Sequence, residues 1–162
     1  QSNTSSPYSI GGLGEIAFKG NAINRLMGGL DIVSDSLHAN LNNPASLGDL
    51  KLVTYSLGLN YKSTKLSSSA SNETVTSASI DYLVVAIPTK KFTFGFGILP
   101  ATSVGYRLQS VIEGDDINNV VNRNEGFGGL NQTFLSIGFK VFEFLNFGAS
   151  ANYNFGKTIC YL

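Results

Sequence analysis

Leu52-Val-Thr-Tyr-Ser-Leu-Gly-Leu-Asn-Tyr-Lys62 decides the fold. Val53, Tyr55, Leu57, Leu59 and Tyr61 are apolar or aromatic, while Thr54, Ser56, Gly58, Asn60 and Lys62 are small or polar. Successive side chains of a strand point to opposite faces, so the stretch reads as a strand with one apolar and one wet face. The pattern returns in Phe92, Phe94, Phe96 and Ile98, in Leu135, Ile137, Phe139 and Val141, and in Phe147, Ala149, Ala151, Tyr153 and Phe155. Between them stand Gly, Ser, Thr, Asn and one Lys. A small, polar second face points to a lumen rather than a packed core, and so to an all-β, antiparallel transmembrane β-barrel wall.

Composition fits a wall. The chain has 18 Gly, 11 Phe and 7 Tyr, no Trp, 14% charged residues and a formal net charge of zero. A neutral chain gives no electrostatic ground for nucleic acid as a partner. No run approaches the roughly 20 apolar residues of a membrane helix. Neither a basic start nor an apolar core stands at Gln1, so a signal peptide removed before it is the expectation for an exported, outer-membrane protein. Cys160 is the single cysteine and His38 the single histidine, which leaves no disulfide framework, no metal constellation and no catalytic pair. Neither an enzyme nor a cofactor is expected. Asp115-Asp116 matches no calcium loop, and Gly12-Leu-Gly-Glu-Ile-Ala17 lacks the preceding strand of a dinucleotide fingerprint.

Residues 1–50 read as a plug or periplasmic segment, with a short helix over about 34–41 capped by Ser34 or Asp35, and residues 51–162 as the first strands of the wall. Strands are expected over about 51–62, 75–87, 92–108, 130–141 and 146–158. The intervening loops alternate long (63–74), short (88–91), long (109–129) and short (142–145). Short turns face the periplasm in outer-membrane barrels, which puts residues 1–50 on that side. In the second strand Ala78, Ile80, Tyr82, Val84 and Ala86 are assigned to the lipid side. Asp81, Leu83, Val85 and Ile87 are assigned inward, to contact the plug or a lumenal ligand. Five strands leave open edges that a bilayer does not tolerate, so further strands beyond Leu162 are expected.

Arg25-Leu-Met-Gly-Gly-Leu-Asp31, Asp35 and Asn43-Pro-Ala-Ser-Leu47 together resemble the opening of FadL-like outer-membrane transporters of long-chain fatty acids, including the PorV-type barrels of Bacteroidota. Ser46 stands where that family usually has Gly. Independently of any family, Pro44 lacks a donor and keeps Asn43 out of the helical region, so Asn43, Pro44 and Ala45 reverse the chain into the wall.

The resemblance implies a barrel of about 14 strands, within the even-numbered series of bacterial barrels. It also implies a lumenal plug and a kinked third strand that opens sideways, here at Gly95, Gly97, Pro100 and Gly105. The expected function is passive uptake of a hydrophobic small molecule through a plugged lumen. The alternative is a non-transporting barrel that docks partners in an outer-membrane secretion or assembly complex. Both readings share membrane lipid, or detergent in its place, as a partner. A complete eight-stranded barrel or a soluble lipid-binding barrel fits the sequence less well.

Overall fold

A computed structural model describes residues 9, 13–67, 72–112 and 120–161. The elements run β1 (Glu15–Ile16), α1 (Ala22–Leu26), a 3-10 helix (Pro44–Asp49), β2 (Thr54–Ser67), β3 (Asn72–Pro88), β4 (Phe92–Ile112), β5 (Val120–Phe142) and β6 (Leu145–Tyr161). Strands β2 to β6 form an antiparallel meander in chain order, and β1 joins the sheet by pairing with β4. Among the described residues the sheet is open, with β2 and β6 at its edges.

Strands of 14 to 23 residues exceed the expected ones, because polar stretches assigned to loops extend the hairpins. Thus 63–67 and 72–74 pair across the β2–β3 hairpin, and 109–112 pair with 120–123 across β4–β5. Ser and Thr side chains satisfied the loop reading, yet they pair equally well in a strand standing in water. Expected residues 113–119 of the β4–β5 loop lie outside the described residues.

Described residues from Gly20 to Lys51 lie across one face of the sheet, the inner face. Ala39, Leu41, Leu47 and Leu50 form a buried cluster there with Tyr82, Val84, Ala86, Leu99 and Phe134. Tyr55, Leu57, Leu59, Phe94, Phe96 and Leu135 remain exposed on the outer face. Outer residues register into rows across strands, and Phe92, Phe139 and Phe147 form one with ring centroids 5.7 and 5.9 Å apart.

The expected helix over 34–41 is absent. Asp35 instead accepts from the Leu37 amide at 3.1 Å and meets the His38 ring, a local turn that competes with helix. The helix forms at Ala22–Leu26, where Asn21 and Asn24 complete a reciprocal capping box.

The phase of β3 also differs from the expected one. Gly58 pairs with Tyr82 but Leu59 pairs with Ile80, so Asp81 is an extra residue in a β-bulge. Beyond it the faces exchange: Tyr82, Val84 and Ala86 are buried inside, while Leu83 (47%) and Ile87 (41%) are exposed outside. Leu83, Val85 and Ile87 therefore form no inward stripe. A one-residue insertion reverses every side chain that follows it.

Candidate functional site

The N-terminal segment is held to the sheet at three places. Small residues make the first. Asn43 caps the 3-10 helix by accepting from the Ala45 amide at 3.1 Å, and Pro44 opens the turn. The helix settles on Gly138 and Gly148, which face each other in register on β5 and β6. A Cβ on Gly148 would lie 2.3 Å from Ala45 N, and one on Gly138 would lie 2.6 Å from the Pro44 carbonyl oxygen. Gly95 on β4 leaves room for Leu47 in the same way. The small second face read as a lumen lining is, at this level, the seat of a helix. At the helix end Asp49 accepts from Lys140 at 3.0 Å and Asn146 at 2.7 Å. Burial works to raise the Asp49 carboxyl, but hydrogen bonds from Lys140, Ser34 and Asn146 hold it below its ordinary value.

The β3 bulge makes the second. It turns two consecutive side chains, Asp81 and Tyr82, toward α1. Asp81 takes a 2.7 Å hydrogen bond from Arg25, and the Tyr82 hydroxyl accepts from the Ala22 amide at 3.1 Å. Arg25 also lies over the Phe18 ring, 5.0 Å from its centroid. Side-chain amides hold the segment between these anchors, in place of regular secondary structure. Asn42 donates to Lys19 O and Asp31, Asn40 and Asn43 donate to Asp31 O, and Asn21 donates to Ala39 O.

Edge pairing on β4 makes the third. Strands β3 and β4 pair only from Leu83↔Ile98 to Pro88↔Thr93. Above that level they part, although β4 continues to pair with β5 as far as Ile112. Pro100 lies two residues past the last β3–β4 pair, and a register shift follows between Pro100 and Thr102. A proline without an N–H beside a bulge is a place where a ladder changes course. On the vacated edge of β4, Glu15 and Ile16 pair with Ser103 and Thr102, and the Ala17 amide donates to Ala101 O at 3.0 Å. Gly14 (φ 94°) makes this approach, since a Cβ there would lie 2.3 Å from Ser103 O. Gly105 is buried nearby and donates to Ser9 Oγ at 3.3 Å. Across the parting, Lys62 on β2 reaches Glu15 at 3.1 Å.

The parting leaves a cleft of about 690 Å³ lined by Leu59, Ile80, Ile98 and Pro100, with Asn60 and Asn131 among its polar groups. Of the residues singled out in the sequence, Pro100 lines this cleft, Gly97 packs tightly below it between Leu83 O and the Phe134 ring, and Gly95 belongs to the helix seat. Asp81 faces inward, onto Arg25. Sequence reasoning missed the contacts of Arg25, Asn21, Tyr82, Gly138 and Gly148; alternation runs unbroken through Ile80-Asp81-Tyr82, so the sequence carried no signal for the bulge. Among the described residues no group of His, Cys, Asp and Glu has the arrangement to hold a metal ion.

A family model described as BamG matches residues 1–160. No curated protein and no solved structure matches the chain. The match corrects the resemblance to FadL-like and PorV-type barrels: the family is a Bam complex-related one. Its name associates it with an outer-membrane location and an outer-membrane assembly complex, which favours docking over uptake.

Proposed function

We propose, from the premise that the chain belongs to the BamG family, that it is a docking subunit of the outer-membrane assembly complex. The family match carries this reading, and the geometry supports it. The apolar outer face of β2 to β6 meets the bilayer, with the Phe92–Phe139–Phe147 row as an aromatic belt at the end of the short turns. The open edges at β2 and β6 are closed by further strands, since unpaired backbone in hydrocarbon costs several kcal/mol per group. The N-terminal segment plugs the inner face. Its three anchors join side chains far apart in sequence, which suits a permanent filling better than a gate.

The alternating wall needs no chemistry of its own in this role. Its work is to hold a folded surface at a fixed depth in the membrane, where a second protein can bind. Affinity purification of the tagged, full-length protein from outer membranes in mild detergent tests this. A large outer-membrane partner in stoichiometric amount is expected. Recovery of the chain alone at native expression levels would overturn the proposal.

A further inference from the structure

Among the described residues, β3 from Asn72 to Tyr82 pairs with β2 alone. In an antiparallel strand the backbone groups of alternate residues point to opposite sides, so about five of these residues aim N–H and C=O groups into the parting. Part of this edge runs beside Leu59, Ile80 and Ile98, all exposed on the outer face. On the membrane reading proposed above, which this inference rests on, hydrocarbon surrounds the edge at that level. A lipid tail offers no hydrogen bond, and an apolar cleft is a poor place for the water that would replace one.

The cleft also has the layout of a strand position. Its outer rim is apolar, through Leu59, Ile80, Ile98 and Pro100, and Asn60 and Ser79 lie on its inner side. A visitor with alternating apolar and small polar side chains would extend both faces of the wall across the gap. The chain already shows the chemistry on the opposite side of the same parting. There Glu15–Ile16, a segment remote in sequence, adds to the vacated edge of β4 by backbone pairing.

We infer that the parting between β3 and β4 receives an extended, alternating apolar segment of a partner polypeptide, which adds as a strand to the free edge of β3. Recognition is by backbone hydrogen bonds, with the apolar rim selecting every second side chain. A segment of about five residues, the common length of a strand, fills it. This names the docking site of the subunit as a gap in its wall rather than its loops.

Two measurements on the native complex test it. Benzoylphenylalanine in place of Ile80 or Ile98 is expected to crosslink, on illumination, to one short stretch of a partner chain, located by mass spectrometry. The same group in place of Leu135, exposed on the outer face away from the parting, is expected to give lipid adducts only. Lipid alone at all three positions, or adducts to this chain's own N-terminal residues at Ile80 and Ile98, would overturn the inference. Amide exchange over 72–82 is expected to be at least about tenfold slower in the complex than in the isolated chain, as for newly paired backbone. Equal rates with a stoichiometric partner bound would reject strand addition and leave the docking function standing. Absence of any stoichiometric partner would bring down both.

Discussion

Arg25 and Asp81 meet at 2.7 Å across 56 positions of sequence, and the contact exists because β3 carries one residue too many. Without the bulge, Asp81 and Tyr82 would occupy opposite faces, and α1 would lose either its salt bridge or its bond to the Tyr82 hydroxyl. The pair is part-exposed, with side-chain exposures of 45% for Arg25 and 13% for Asp81. Solvent screening therefore keeps its worth low. A double-mutant cycle with Arg25→Gln and Asp81→Asn is expected to give a coupling of about 0.5–1 kcal/mol in low salt, falling as salt rises. Urea denaturation followed at the N-terminal segment reads it. A coupling of zero in low salt would show that the bulge is held by Tyr82 and packing alone.

Gly148 and Gly138 admit the Asn43-Pro44-Ala45 turn at distances that no side chain allows. Gly148→Ala places a methyl group against backbone atoms rather than a side-chain tip, so relief requires moving the 3-10 helix. A loss of about 1–3 kcal/mol is expected, the usual cost of overpacking. Limited proteolysis should cut the chain near 44–50 several-fold faster than in wild type. The Ala149→Ser variant, one residue away on the exposed face, should leave the rate unchanged.

Alternation made the wall legible. The strict apolar and polar succession in Leu52–Lys62 and in Phe92–Ile98 specifies both strand and face, and the structure follows it there. The phase of β3 beyond Asp81 was not legible in the same way. From Leu83 to Ile87 every residue is apolar, so the stretch suits either face, and the choice is made by distant Arg25 and Ala22. The hairpin ends failed for a related reason, because polar residues that stand in water look alike in a loop and in a strand. Asn43-Pro44-Ala45 was legible as a chain reversal, and the structure puts a turn there. Its family was not legible: a turn pressed onto glycines is a geometric need that unrelated walls share.

Asp49 gives the segment a dependence on pH. Its carboxyl titrates below the ordinary value of 3.8 in the folded chain, with burial opposing and the hydrogen bonds from Lys140, Ser34 and Asn146 prevailing. A depressed folded value means that the ionised form binds the segment better. Its stabilisation is complete above the unfolded value and is lost as pH falls through the folded one. Amide protection over 44–50 is expected to hold at pH 6 and to weaken below about pH 4. Asp49→Asn should lower protection at pH 6 and flatten the acid limb. An unchanged limb in that variant would assign the dependence to another carboxylate.

Spin labels settle the β3 register directly. With the bulge at Asp81, a nitroxide at Leu83 or Ile87 lies on the outer face, and one at Val84 or Ala86 lies against Leu47 and Leu50. In lipid vesicles, collision with oxygen, which concentrates in the bilayer, should broaden the first pair strongly and the second weakly. Labels at Ala78 and Ile80, below the bulge in sequence, should behave like Leu83 although they have the opposite parity. A wall of unbroken alternation predicts the reverse for 83, 84, 86 and 87. Deleting Asp81 removes the extra residue and leaves the pairs Leu59↔Ile80 and Gly58↔Tyr82 in place, so Leu83 should stay outside and Val84 inside while α1 loses the carboxylate that Arg25 meets. The deletion variant thus separates the salt bridge from the register: unchanged broadening at Leu83 and Val84 with weakened amide protection over 22–26 is expected, and inverted broadening would reject the bulge.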